Sequence, residues 1–312
     1  MSNQSTNQPL VSVCIVTYNS ADFIIEALDS VAAQTYKNIE LIVSDDCSKD
    51  NTVEICQEWL TRNKDRFVNT ELLTVEKNTG VSANCNRAIR KGRGEFVKYF
   101  AGDDKLLPNC IEDNLLFFKE HPETDFLFSD MQIIDGRQIE NYIKSPSVYF
   151  YHLSKLEFKL WQLVYYILPA PSNFMKREVY NELGGFDETI PMMEDKPFWV
   201  KAIFANRSIC YLPKITVQYR INPNSLSQTK NSPNYYKLLE SQEIASKFFL
   251  SRMKEISWWL WLYGKSIYAS ESLNIFKNRL LFFMRFFNVF YYYFRFMDFK
   301  IKKYSLMNNS NN

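Results

Sequence analysis

The chain has 312 residues, 46% hydrophobic and 23% charged, enough to bury a sizeable core as one large domain or one domain with an appendage. A net charge of +2 gives none of the global basicity that marks a nucleic-acid binder. Six cysteines without a C-x-x-C pair, and only His121 and His152 as histidines, exclude a zinc centre of the usual spacing and point to reduced, mostly buried thiols.

The polar N-terminus, "MSNQSTNQPL", lacks the charged-then-apolar order of a signal peptide, so export is not expected. "VSVCIVTYN" then predicts a short buried strand ending in a loop, and Asp22 is placed to cap a helix whose Ile25, Leu28 and Val31 share one face. "NIELIVSDD" predicts a second strand, with a helix opened by Asp50 or Asn51 and running through Leu60. "TELLTVEKNTG" predicts a third strand, followed by a helix over Ser82 to Arg90. "GEFVKYFAGDD" predicts a fourth. Strands alternating with helices imply βαβ units and a largely parallel sheet, an α/β fold.

Ligands of such sheets gather at the carboxyl ends of the strands. Four polar clusters fall there: Thr17-Tyr18-Asn19, Ser44-Asp45-Asp46, Lys77-Asn78 and Gly102-Asp103-Asp104. No G-x-G-x-x-G follows the first strand and no G-x-x-x-x-G-K-[ST] occurs anywhere, which disfavours a Rossmann dehydrogenase or a P-loop enzyme. Phosphates bound here would need a metal to neutralise them. Asp103 and Asp104 are the obvious anchor, because adjacent carboxylates repel unless something shares their charge. Paired hard oxygens suit Mg²⁺ or Mn²⁺. The alternative is a solvated turn, with Asp104 capping a helix that begins near Pro108.

Further along, a turn at Gly184-Gly185 leads to Glu194-Asp195 and an apolar helix carrying Phe198, Trp199, Ala202 and Ile203. Helix capping accounts for one of these acids; a general base at the mouth of a cleft accounts for both.

The ordered series "VSVCIVTYN", "LIVSDDCSKDNT", "EKNTGVSANCNRAI", "GEFVKYFAGDDKLLP", "FMKREVYNELGGFDE", "EDKPFW" and "VQYRINPNSLS" resembles family 2 glycosyltransferases, inverting sugar transferases of GT-A fold. The likeness runs from Val11 to about Gln228 and implies a GT-A catalytic domain over residues 1–228. It implies transfer from a nucleotide-diphosphate sugar, with UDP the expected nucleotide and Mn²⁺ or Mg²⁺ the expected cofactor. By the same resemblance Thr17 and Tyr18 line the base and ribose pocket, Asp46 accepts from the uracil imide, and Asn78 and Arg87 approach the nucleotide. Asp103 takes the ribose side of a D-x-D-type motif and Asp104 the metal. Asp195 is the implied catalytic base, with Glu194 its neighbour. One departure concerns the metal: where the family often has a histidine after "YR", this chain has Asn222, a neutral and weaker ligand. Competing readings are a sugar nucleotidyltransferase, which normally needs a glycine-rich first loop, and a membrane-bound saccharide- or nucleotide-binding protein without turnover.

Residues 229–312 form an aromatic, basic, helical extension. "WWLWLYGK" precedes "FKNRLLFFMRFFNVFYYYFRFMDFKIKK", in which Asn278, Arg285, Asn288, Tyr292, Arg295 and Lys302 fall on one helical stripe. Charges interrupt the apolar run, so a spanning helix is not expected. Seven basic residues against Asp298, on an aromatic helix, suit the surface of an anionic bilayer. Packing against the catalytic domain is the alternative. Membrane attachment, with the resemblance, implies a polyprenyl-diphosphate-linked saccharide acceptor in polysaccharide or O-antigen assembly. The expected location is peripheral, on the cytoplasmic face of the inner membrane.

Overall fold

The computed structural model describes residues 8–135, 138–165, 167–221, 233–268 and 293–296. The strands and helices in chain order are β1 (Val11–Thr17), α1 (Ile24–Ala32), β2 (Ile39–Asp45), α2 (Thr52–Asn63), β3 (Asn69–Leu73), α3 (Val81–Lys91), β4 (Phe96–Ala101), β5 (Lys105–Leu106), α4 (Cys110–Glu120), β6 (Phe126–Asp135), β7 (Gln138–Lys144), α5 (Ser147–His152) and α6 (Lys155–Val164). There follow β8 (Phe174–Lys176), α7 (Arg177–Glu182), α8 (Asp195–Phe204), β9 (Ile209–Ile221), α9 (Pro233–Ile256) and α10 (Trp258–Tyr268).

The strands form one sheet in the order β3-β2-β1-β4-β8-β6-β9-β5, with β7 added against β6. Parallel ladders join β3, β2, β1 and β4, and a second parallel ladder joins β6 to β9. The short β8 runs antiparallel to both β4 and β6 and so stitches the two halves together. Every residue of β1 and β2 is buried, as expected of central parallel strands covered on both faces. Alternation along β1 sends Val13 and Ile15 to the core under α1, α2 and α4, and Cys14 and Val16 to the core under α3, α6 and α8. All six cysteines are free thiols; Cys47 and Cys210 are half-buried and the rest buried.

Four local expectations shift. Asp22 does not cap α1: the helix opens from Phe23 without a side-chain cap, its first N–H groups reaching the Ser20 carbonyl. The buried face of α1 is Ile24, Ala27, Leu28 and Val31, while Ile25 is 46% exposed. A step of one residue rotates a helix by about 100°, so Ile24 takes the core and Ile25 leaves it. The third strand ends at Leu73, short of the expected run to Gly80, and the Thr79 and Gly80 N–H groups bond the Asp46 carboxylate instead of a ladder. Finally, α4 begins at Cys110 after Asn109, so Asp104 caps nothing there.

Helices α9 and α10 share a core with the sheet. Phe249, Met253, Leu260 and Tyr263 are buried in the same cluster as Trp161, Phe198 and Trp199. Phe294 is fully buried against Trp161, Tyr165 and Tyr263. The described part of the aromatic extension therefore packs on the catalytic body, while Trp258, Trp259 and Phe296 stay more than half exposed. Most of the helix expected over 276–303 lies outside the described residues.

Candidate active site

The carboxyl ends of β1, β2 and β4 bring the first polar clusters to one rim. Thr17 pairs with Asp45 in the parallel register, and the Asp46 N–H bonds the Thr17 carbonyl at 3.0 Å. Gly102 donates to the Val16 carbonyl at 2.9 Å, and a Cβ there would stand 3.1 Å from Thr17 Oγ1. Asp45 turns away from the rim, accepting from the Ser48 N–H and hydroxyl. Tyr18 is half-buried beside these residues.

Asp46, Asn78 and Arg87 come together. The Asp46 carboxylate, almost completely buried, accepts from Thr79 N–H at 2.9 Å, Gly80 N–H at 2.8 Å, the Thr79 hydroxyl at 2.5 Å and Arg87 Nη2 at 2.9 Å. Asn78 Nδ2 donates to the Asp46 carbonyl at 3.2 Å. Four donors fill the acceptor positions of one carboxylate, so a base N–H arriving at Asp46 has to displace one of them. Thr17 Oγ1 and Arg87 Nε are buried beside this network without a hydrogen-bond partner among the described residues.

The same loop is tied to the one that precedes α8. Gly80 has φ of +90°, and an added Cβ would lie 2.7 Å from both Cβ and O of Pro191. The Pro191 carbonyl also accepts from Ser82 N–H at 3.2 Å. Only glycine satisfies both the backbone conformation and the contact. Gly80→Ala is expected to cost about 2–4 kcal/mol, combining left-handed strain with overpacking. A urea unfolding midpoint unchanged from wild type would refute this.

Asp103 and Asp104 sit between β4 and β5 and are braced from the far side of the sheet. Asp104, 1% exposed, accepts the Arg220 N–H from β9 at 2.9 Å. Arg220 Nε donates to the Asp103 carbonyl at 2.7 Å, Nη2 reaches Glu26 at 2.9 Å, and the guanidinium lies 4.4 Å over the Phe23 ring. Burial, and then the charge of Asp103, push the Asp104 carboxyl well above the ordinary carboxylate range. A cation held by both carboxylates would relieve each of these effects. Among the described residues no group of three His, Cys, Asp or Glu could hold a metal. A cation at this pair would therefore complete its shell with phosphate oxygens and water, which suits Mg²⁺ or Mn²⁺. Asn222, the further ligand considered from sequence, lies outside the described residues.

Glu194 and Asp195 open α8, and Glu194 at the cap position makes no side-chain cap bond. Asp195 is 3% exposed, and its Oδ1 accepts the Lys196 N–H at 2.7 Å. Burial raises the Glu194 carboxyl and favours its neutral form. Both acids stand at the positive end of α8, where the helix dipole favours a carboxylate.

Tyr219 ties the groups together. Its hydroxyl is pushed up by burial and then by the charges of Asp104, Asp103 and Asp195. Cys85 on α3 is raised by burial, with Glu194, Asp195 and Asp46 contributing. The carboxylates of the β4–β5 turn and α8 are thus near enough for their charges to act on Tyr219, as those of β2 and α8 act on Cys85. Sequence reasoning missed Tyr219 and Arg220 as site residues; the only signal was their place in the "VQYR" segment.

It also missed Lys196. This side chain is 7% exposed, with Nζ 3.5 Å from the Val164 carbonyl and 4.7 Å over the Phe249 ring. Burial lowers it to about 8, against a smaller opposing effect of Asp195. Between about 8 and the ordinary lysine value the unfolded chain holds a proton that the folded chain has released, so stability rises with pH across that window. Below it both states are charged and the folded state carries the full cost of burial. Lys196→Met is expected to stabilise the fold at pH 7 by up to about 3 kcal/mol, an advantage that closes as pH rises toward about 10.5. Equal urea midpoints for the two proteins at pH 7 would contradict it.

The profile of Glycosyl transferase family 2 matches residues 12–184, more than half of the chain. The chain belongs to this family. An uncharacterized glycosyltransferase of Rickettsia typhi is 28% identical over 251 residues, covering 80% of this chain and 74% of the relative. The uncharacterized glycosyltransferase EpsJ of Bacillus subtilis is 26% identical over 286 residues, 87% of this chain and 75% of its own. Among solved structures, S. aureus TarS 1–349 in complex with UDP-GlcNAc superposes with a TM-score of 0.61 at 22% identity, covering 84% of this chain and 81% of that one. The fold is GT-A, and this glycosyltransferase carries its acids on the rim that the strand order predicts. Family membership also sets aside the nucleotidyltransferase reading.

Proposed function

We propose that this glycosyltransferase moves a sugar, with inversion, from a nucleotide-diphosphate sugar to a hydroxyl of a saccharide acceptor. The observation that carries the reading is that the charges of Asp104, Asp103 and Asp195, from two separate elements, all act on the half-buried Tyr219. One end of such a site holds a donor and the other takes a proton. Thr17, Tyr18, Asp46, Asn78 and Arg87 would hold the nucleoside, with Asp103 toward the ribose. Uracil is the base this reading favours, supported by the UDP-GlcNAc complex of TarS.

Asp103 and Asp104 would hold Mn²⁺ or Mg²⁺, which when bound supplies charge stabilisation to the departing diphosphate. Asp195 accepts the proton of the acceptor hydroxyl as that oxygen bonds the anomeric carbon. The bond from that carbon to the diphosphate breaks on the opposite face, which inverts the centre. Glu194, whose carboxyl burial biases toward the neutral form, flanks the base.

The acceptor in this reading is lipid-linked, on a polyprenyl diphosphate carrier, in the assembly of cell-surface polysaccharide or O-antigen. No helix among the described residues is long and apolar enough to cross a membrane. Exposed Trp258, Trp259 and Phe296, with exposed Lys254, Lys265 and Arg295 nearby in sequence, support peripheral attachment to an anionic bilayer at the cytoplasmic face of the inner membrane.

Calorimetric titration of UDP, GDP and dTDP with and without Mn²⁺ tests the donor half of the proposal. UDP should bind tightest, and tightly only with the metal. Equal, metal-independent binding of all of them would overturn it.

A further inference from the structure

A cavity of about 520 Å³ opens where α3, the Gly184–Glu188 turn, α8 and α9 meet. Its size falls within the ~300–1,000 Å³ of small-molecule pockets. The α8 wall begins at Pro197, within one turn of helix of Asp195 but about 200° round it, so the cavity lies on another side of α8 from the base. We propose that this cavity is a saccharide subsite for an acidic sugar unit, distal to the reacting hydroxyl, of the acceptor chain. The choice of a saccharide rests on the glycosyl-transfer reading; the site and its preference for an anion rest on the cavity itself.

Phe186 and Phe198 form its floor, their ring centroids 4.9 Å apart and both residues buried. Phe248 on α9 is the half-buried ring of the lining and so keeps surface for a ligand. An aromatic face suits the C–H face of a pyranose, and the polar rim then sets its charge. The acids of that rim are already engaged. Asp187 accepts from Thr189 N–H at 2.9 Å and from the Thr189 hydroxyl at 2.6 Å. Glu188 Oε1 accepts from Asn86 Nδ2 at 2.7 Å and Arg90 Nη1 at 2.9 Å.

The cations keep donors to spare. Arg90 uses Nη1 alone, and Arg252 uses Nη1 alone, toward Glu255 at 3.0 and 3.1 Å. The Arg252 guanidinium is held 5.4 Å over the rings of Phe204 and Phe248, which fixes its plane at the cavity. Lys201 donates to the Leu183 carbonyl and has two further N–H groups. Remaining guanidinium donors beside an aromatic wall match a carboxylate on a sugar ring.

The test is calorimetry on the full chain with tetragalacturonate, neutral maltotetraose, inorganic phosphate and UDP with Mn²⁺. Tetragalacturonate should bind at least tenfold tighter than maltotetraose, weakening with salt. Arg90→Gln with Arg252→Gln should remove that preference and leave UDP binding unchanged. A Phe248→Ala variant should weaken both oligosaccharides and spare phosphate, which separates a sugar site from a simple anion site. Equal binding of the two tetrasaccharides, or a preference that survives the double variant, would overturn the proposal. Phosphate binding that matches tetragalacturonate and falls with it would overturn the saccharide assignment. Loss of UDP binding in wild type would sink the donor reading of the active site and leave the cavity result standing.

Discussion

Replacing Asp195 with asparagine is expected to lower turnover by about 10²–10⁴-fold while the nucleotide dissociation constant stays within about twofold of wild type. The substitution keeps the size of the side chain and the acceptor oxygen for the Lys196 N–H, so the start of α8 should survive. What is lost is the negative charge that takes the acceptor proton. The pH profile discriminates further. Wild-type kcat should fall below the pH at which Asp195 becomes protonated, and the variant's residual rate should lose that acidic limb. Parallel loss of turnover and nucleotide binding would make Asp195 a structural support of the cleft, because the base does not touch the nucleotide in the proposed mechanism. Glu194→Gln, one residue earlier, should cost far less, since that carboxyl is already biased toward its neutral form.

The parts of this site that were readable in the sequence are those whose physics is local. Val11–Thr17 and Ile39–Asp45 announce themselves because strands covered on both faces must be apolar throughout. The strand-end acids stand out because a buried run that stops at adjacent carboxylates needs a reason. The groups that brace those acids were not readable. Arg220 reaches Asp104 across 116 positions of chain, and no neighbouring residue signals that its N–H and guanidinium will turn toward a strand end from the opposite half of the sheet. Nothing in "EDKPFW" marks Lys196 as buried; the packing of α6 and α9 encloses it. The Asp46 network depends on where a loop folds: the pattern of "TELLTVEKNTG" continues as a strand, and only the carboxylate of a different strand end draws Thr79 and Gly80 away. Phase errors such as Ile25 for Ile24 arise because either residue extends an apolar face, and packing against β5 and α2 decides between them.

Asp104→Ala is expected to weaken metal-dependent UDP binding by about 100-fold or more, since removing a direct ligand should cost at least as much as removing a supporting one. Two consequences separate this from general damage. First, metal-free UDP binding, weak in both proteins, should be unchanged, because Thr17, Asp46 and Arg87 are untouched. Second, the fold should hold or gain slightly. Asp104 is buried beside the like charge of Asp103, and truncation removes a carboxyl whose ionised form the folded state disfavours. The cost is the bond to the Arg220 N–H, about 1 kcal/mol in the usual range. A variant that melts far below wild type would show that Asp104 holds β9 in place as a structural residue. One that melts normally and still needs Mn²⁺ for tight UDP binding would move the metal off this pair. Loss of the metal effect with the fold intact is the outcome that ties these mutually repelling acids to a bound cation.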